Sequence, residues 1–222
     1  MHIPDGFLDP ITVVITYIIL IFYILFNVRY MKNSKITEEA PLITIIAASI
    51  FVAQMINWPL PGGTSLHLVG GAIAGIILGP QLGFLTMFIV VAIQALVFHD
   101  GGITTLAANT INMAIIDVLA GYYIYKLITS LSNSKRAGVV GAFIGGWMGI
   151  TLAGLACGLE IGYSFYFGFN ISITVPIMVT WHFLLGIIEG IITALTFDYL
   201  SRRPDFLYLS RSGVKLIDGK IE

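Results

Sequence analysis

A histidine in second place, Met1-His2, makes the end of a chain into a chelator. The α-amine of Met1, the backbone nitrogen of His2 and its imidazole Nδ1 can close two fused rings on one ion, and one further nitrogen completes a square-planar set. That donor set suits Ni(II), Cu(II) and low-spin Co(II) better than Mg or Ca, which take oxygen, or Zn, which is usually tetrahedral. His67, at the end of Gly63-Thr64-Ser65-Leu66-His67, is the natural fourth donor: a neutral ring binds metal through one nitrogen and donates from the other.

A polar stretch, His99-Asp100-Gly101-Gly102-Ile103-Thr104-Thr105 followed by Asn109 and Asn112, enters an otherwise apolar run. Unsatisfied polar groups are costly inside a membrane, so Thr104, Asn109 and Asn112 must find partners. Asn109 and Asn112 are three apart and share a helix face. They are expected to orient the ligand imidazoles, with Ser65 beside them, although plain interhelical hydrogen bonding is an equal reading. Asp117, His182 and Glu189 are the remaining ionisable residues of the apolar core. Asp117 and Glu189 read as structural or partner-facing, and His182 shares a helix face with Glu189; alternatively the three are the relay of a proton-driven secondary metal transporter.

These residues need a scaffold, and the composition defines its class. Of 222 residues 57% are hydrophobic and 10% charged, and mean hydropathy is +0.94. This is the composition of a multi-pass cell-membrane protein, against about 25% charged residues in soluble domains. A net charge of -1 excludes a nucleic-acid surface, and the single Cys157 excludes an intrachain disulfide framework. No basic residue precedes the first apolar run, so no cleavable signal peptide is expected. The expected organisation is one integral domain, 1–222: an extracellular segment 1–10, a bundle 11–198 and a cytoplasmic tail 199–222.

Apolar runs long enough to span a bilayer lie at 11–28, 41–57, 66–79, 82–98, 103–126, 137–158 and 174–198. The fold expected is therefore all-α with seven transmembrane helices, the third cut from the fourth by Gly79-Pro80. With the N-terminus outside and the C-terminus inside, all 11 basic residues (Arg29, Lys32, Lys35, Lys126, Lys135, Arg136, Arg202, Arg203, Arg211, Lys215, Lys220) fall on the inner side, as the positive-inside rule requires. The outer loop 159–173 is rich in aromatics, an interfacial belt or a lid. Glycines four apart, Gly71, Gly75 and Gly79, allow close helix approach, either within the bundle or against another membrane subunit.

Three motifs in order on one face, Met1-His2-Ile3-Pro4-Asp5-Gly6-Phe7-Leu8, Gly63-Thr64-Ser65-Leu66-His67-Leu68-Val69-Gly70 and Asp100-Gly101-Gly102-Ile103-Thr104-Thr105-Leu106-Ala107-Ala108-Asn109-Thr110-Ile111-Asn112-Met113-Ala114, resemble the CbiM/NikM family over essentially the whole chain. Its members are the substrate-capture (S) components of energy-coupling factor (ECF) transporters for cobalt and nickel. The resemblance implies that Met1, His2 and His67 bind one Co(II) or Ni(II) ion as cargo. It also implies a membrane coupling subunit of EcfT type and two cytoplasmic ATPases, with room for a small accessory membrane subunit. The Ile-Pro-Asp-Gly opening is closer to the cobalt branch. No catalytic cofactor and no enzymatic activity are expected: the chain has no Gly-x4-Gly-Lys-Ser/Thr run for nucleotide and no His-Glu-x-x-His helix motif.

Overall fold

The computed structural model describes residues 2–31, 36–60, 64–132 and 134–203, with backbone alone at 30, 36–38, 60 and 64–66. Met1 and the tail from 204 onward lie outside the described residues. The chain is mostly helical: α1 (Pro10–Met31), α2 (Ile36–Gln54), α3 (Gly71–Ile93), the short α4 (Leu106–Thr110), α5 (Asp117–Leu131), α6 (Lys135–Tyr163) and α7 (Ile171–Ser201). A π-helical turn, Gln94–Phe98, continues α3, and another, Ile111–Ile116, joins α4 to α5 in one rod. Between α2 and α3 the chain forms an antiparallel pair of three-residue strands, β1 (Trp58–Leu60) and β2 (Thr64–Leu66), with Trp58 opposite Leu66. The all-α expectation therefore misses a small hairpin.

Among the described residues, five helices are long and apolar enough to cross a membrane: Pro10–Arg29, Gly71–Phe98, Leu106–Leu131, Lys135–Tyr163 and Ile171–Ser201. The seven expected spans are not all found as separate helices of that length. The apolar part of α2, Glu39–Gln54, is shorter, and the helical parts of the runs 66–79 and 82–98 belong to one element, α3 with its π-helical turn. That element is not straight. Gly79 takes φ 79° and ψ 167°, a non-helical conformation open to glycine, and Pro80 follows without an N–H to continue the ladder.

The break folds α3 back on itself. A Cβ on Gly83 would lie 2.9 Å from Gly75 Cα, whereas a continuous helix would hold these residues about 12 Å apart. The first limb, 71–78, is thus a half-helix about 12 Å long. The Asn27 side chain donates to Gln81 O at 3.1 Å, which puts this reversal beside the last turns of α1.

Gly71 and Gly75 are buried and pack on the rod: a Cβ on Gly71 would strike Met113 O and Asp117, and one on Gly75 would strike Val118 O. Gly79 is buried at the reversal. Of the two readings of this small-residue face, within the bundle or against another subunit, Gly71 and Gly75 show the first. The same residue type works in α6, where Gly145 meets Gly121 O and Gly154 meets the His182 ring. Close backbone approach of this kind replaces the hydrophobic driving force that lipid removes. Ile76, Met87, Met113 and Ile150 fill the centre.

The ends of the bundle differ in charge. At one end, Lys135 of α6 and Arg202 both reach Asp198 of α7, at 3.3 and 2.5 Å. At the other end of α6, Ser164 holds the N-terminal segment.

Candidate metal centre

The N-terminal segment, residues 2–9, is threaded into one end of the bundle rather than left in solvent. Ile3 is buried at 2% exposure, and Asn109 clasps its backbone from both sides: Ile3 N–H donates to Asn109 Oδ1 at 2.8 Å, and Asn109 Nδ2 donates back to Ile3 O at 3.1 Å. Gly102 N–H and the Thr105 hydroxyl also donate to Ile3 O, at 3.0 and 2.5 Å.

Asp5 accepts from Thr104 N at 2.7 Å, the Thr104 hydroxyl at 2.5 Å and Ile103 N at 3.1 Å. These bonds, the Thr104 hydroxyl foremost, hold its carboxyl below the ordinary aspartate range. A Cβ on Gly102 would strike Asp5 Oδ1 and N, so the paired glycines 101 and 102 are what let the loop lie on the segment.

The segment ends in a helix start. Asp9 Oδ1 accepts from Ile11 and Thr12 N–H at 2.9 and 3.2 Å, an Asp cap followed by Pro10 in the first turn. Ser164 Oγ accepts from Asp9 N at 2.9 Å and donates to Phe7 O at 2.8 Å. Phe167 packs on Phe7 with ring centroids 5.1 Å apart, whereas Tyr163, Phe165, Tyr166 and Phe169 are exposed. In the α6–α7 loop, one aromatic packs on the segment and the others are exposed.

His67 lies in the irregular stretch 67–70 between β2 and the half-helix, buried at 2% exposure. Glu189 of α7 anchors this stretch, accepting from Val69 N and Gly70 N at 3.0 and 2.8 Å. Gln54 donates to Val69 O at 2.5 Å. The rings of His2 and His67 stack with centroids 4.7 Å apart and planes 23° apart. Residues 65 positions apart in sequence thus meet ring to ring.

Hydrogen bonds decide which nitrogen each ring presents. His2 Nε2 lies 3.0 Å from Gln94 Oε1, an acceptor, so Nε2 carries the proton and Nδ1 the lone pair. That Nδ1 is buried without a hydrogen bond, and the carboxylate of Asp100 stands 3.5 Å from it. His67 Nδ1 lies 2.7 Å from Leu68 O, which fixes its proton there and leaves the lone pair on Nε2.

Burial pushes the His2 pKa down to about 4, although Asp100 and Gln94 pull it up. A neutral His2 ring is the state a metal requires. Among the described residues no three His, Cys, Asp or Glu side chains converge as metal ligands. A cation at His2 and His67 would therefore take further donors from the backbone or from outside those residues.

The expected supporting residues do other work. Thr104 and Asn109 hold the backbone and Asp5, not the imidazoles. Asn112 donates to Glu160 at 2.6 Å and so turns towards α6. The side chain of Ser65, like Met1, lies outside the described residues. Gln94 and the Leu68 carbonyl hold the rings instead. Gln94 was legible as a lone amide in the apolar run 82–98, since an amide there demands a partner.

Deeper in the bundle, His182 Nδ1 donates to Met178 O at 2.7 Å, and Asp117 lies against Gly71 and Gly149. Neither joins the two rings as a ligand.

Fold and site define the class: a multi-pass helical membrane protein with two buried imidazoles stacked at one end of the bundle. A sequence profile for the cobalt uptake substrate-specific transmembrane region, CbiM, matches residues 2–206. This chain belongs to the CbiM family. It is 50% identical over 208 residues to a provisionally named fused nickel transport protein NikMN of Archaeoglobus fulgidus, covering 93% of this chain and 68% of that one. It is 31% identical to a provisionally named cobalt transport protein CbiM of Methanococcus voltae, over 92% and 93% of the two chains. A crystal structure of a truncated transition metal transporter superposes with a TM-score of 0.85 at 34% identity, covering 91% of this chain and 99% of that one. The chain is a cobalt/nickel transport component of this family.

Proposed function

We propose that this chain is the substrate-capture subunit of an ECF-type importer for Co(II) or Ni(II). The ion would bind through the Met1 amine, the His2 backbone nitrogen, His2 Nδ1 and His67 Nε2. The observation that carries this reading is the buried His2 Nδ1, which has a lone pair, no hydrogen bond and a second imidazole stacked beside it. Four nitrogens in a plane accept either metal, so ligand type alone does not choose between them.

Binding would strip water from the ion and release protons, including that of the His2 backbone N–H. The clasp on Ile3 and the packing of Phe167 on Phe7 would keep the dipeptide in register with His67. Preorganisation of this kind is what makes three donors on a chain end into a site.

In the bilayer, the N-terminus faces out and the C-terminus in. The chain crosses seven times when the half-helix 71–78 and its lead-in through His67 are counted as the third crossing. Clustering of Lys135, Arg202 and Asp198 at the end away from the N-terminal segment supports this orientation. A membrane coupling subunit and two cytoplasmic ATPases supply the energy and reorient the subunit to release the ion inside.

Titration of the purified chain with Ni(II), followed by absorption and calorimetry, tests the reading. Two residues added before Met1 and left uncleaved should abolish high-affinity binding, and so should His67→Ala. Undiminished affinity in the extended chain would overturn the amine as a ligand.

A further inference from the structure

The π-helical turn Gln94–Phe98 does more than end α3. Asp100 N–H returns to Gln94 O at 3.0 Å, and the closed turn sets two side chains on the two nitrogens of one ring. Gln94, fully buried, takes His2 Nε2–H, while Asp100 stands at Nδ1. The Asp100 side chain is 28% exposed and that of His2 5%, so the carboxylate reaches the outer solution and the ring does not.

Because Nε2 holds the proton, the gap of 3.5 Å between Asp100 Oδ1 and His2 Nδ1 separates two lone-pair atoms with no hydrogen between them. Such a pair repels until something positive enters. Metal–nitrogen and metal–oxygen bonds of about 2.0–2.2 Å to both atoms span a gap of this width. A carboxylate is also the ligand that a hydrated divalent ion accepts without losing all its water.

We propose that Asp100 is the entry ligand of the site: its carboxylate takes a partly hydrated divalent transition-metal cation from the outer solution and passes it to His2 Nδ1. The inference rests on the metal-capture reading above. The ion exchanges one bound water for Asp100 oxygen, then Asp100 for nitrogen.

Stopped-flow binding of Ni(II) to the full chain in detergent, with Met1 as its first residue, tests this at several salt concentrations. Asp100→Asn, which keeps the shape and loses the charge, should slow association about tenfold and flatten its salt dependence. Dissociation should change less than twofold, and Asp100→Glu should restore most of the rate. An Asp100→Asn chain with wild-type association and salt dependence overturns the proposal, as does one whose only change is faster dissociation. If the unaltered chain binds neither Ni(II) nor Co(II), the metal-capture reading fails and Asp100 with it; if it binds and Asp100→Asn is indifferent, Asp100 alone is wrong.

Discussion

Gln94 Oε1 accepts the Nε2 proton of His2 across 3.0 Å, and this one bond determines which nitrogen of the ring is left for a ligand. The residues are 92 positions apart and both are buried from solvent. Replacing Gln94 with Leu removes the acceptor and frees the ring to exchange tautomers. Metal affinity should fall about 10–100-fold, the usual consequence of losing a partner that orients a ligand histidine. The nitrogen-15 shifts of the His2 ring, with one tautomer in the unaltered chain and a mixture in Gln94→Leu, would show the cause directly.

Asn109 is the clasp of the N-terminal segment. Asn109→Ala strands the buried Ile3 N–H and removes one donor to Ile3 O, which should destabilise docking of the segment by about 1–3 kcal/mol. Hydrogen exchange at residues 2–9 should rise by the corresponding factor while exchange in α6 stays unchanged. Equal exchange in both regions would mean that the clasp holds nothing.

The Asp5 latch has a pH signature. Its carboxyl is held below the ordinary aspartate range by the Thr104 hydroxyl and the Thr104 and Ile103 N–H groups. A folded-state pKa depressed in this way stabilises docking above the free aspartate value of about 3.9, and the contribution is lost as pH falls through the lower folded value. Protection of residues 2–9 should therefore be flat from pH 7 to 5 and decline only in acid. Thr104→Val should weaken the latch and move the decline to higher pH.

Gly83 has no room for a side chain. A methyl there would meet Gly75 Cα and N at 2.9 Å, both backbone atoms that cannot turn aside. Gly83→Ala should force the limbs of α3 apart at a cost of about 1–3 kcal/mol, seen as a lower unfolding temperature in detergent. Alanine at Gly168, where nothing lies within 4 Å but φ is +79°, should cost only the backbone strain, about 1 kcal/mol.

Glu189 gives both carboxylate oxygens to the backbone of the stretch that carries His67. Glu189→Ala leaves Val69 and Gly70 N–H groups buried without acceptors, and metal affinity should fall by at least as much as in Gln94→Leu. Glu189→Gln keeps one good acceptor and should be intermediate. Titration with Ni(II) of the two variants side by side checks the order.

Membrane class, the position of each apolar run and the candidacy of His2 and His67 were all legible in the sequence. Hydropathy and charge are local properties that add along the chain, so they need no knowledge of neighbours. The break at Gly79-Pro80 was legible for the same reason, but not its result, the return of Gly83 onto Gly75. Tertiary structure alone decided that Asn109 holds Ile3 rather than an imidazole, that Asn112 turns to Glu160, that Gln94 and Asp100 share one ring, and that α5 covers the glycine face of α3. Each of these depends on how a helix is rotated about its axis. A helix apolar on nearly every side carries no stripe to mark that rotation, and only packing against its neighbours sets it.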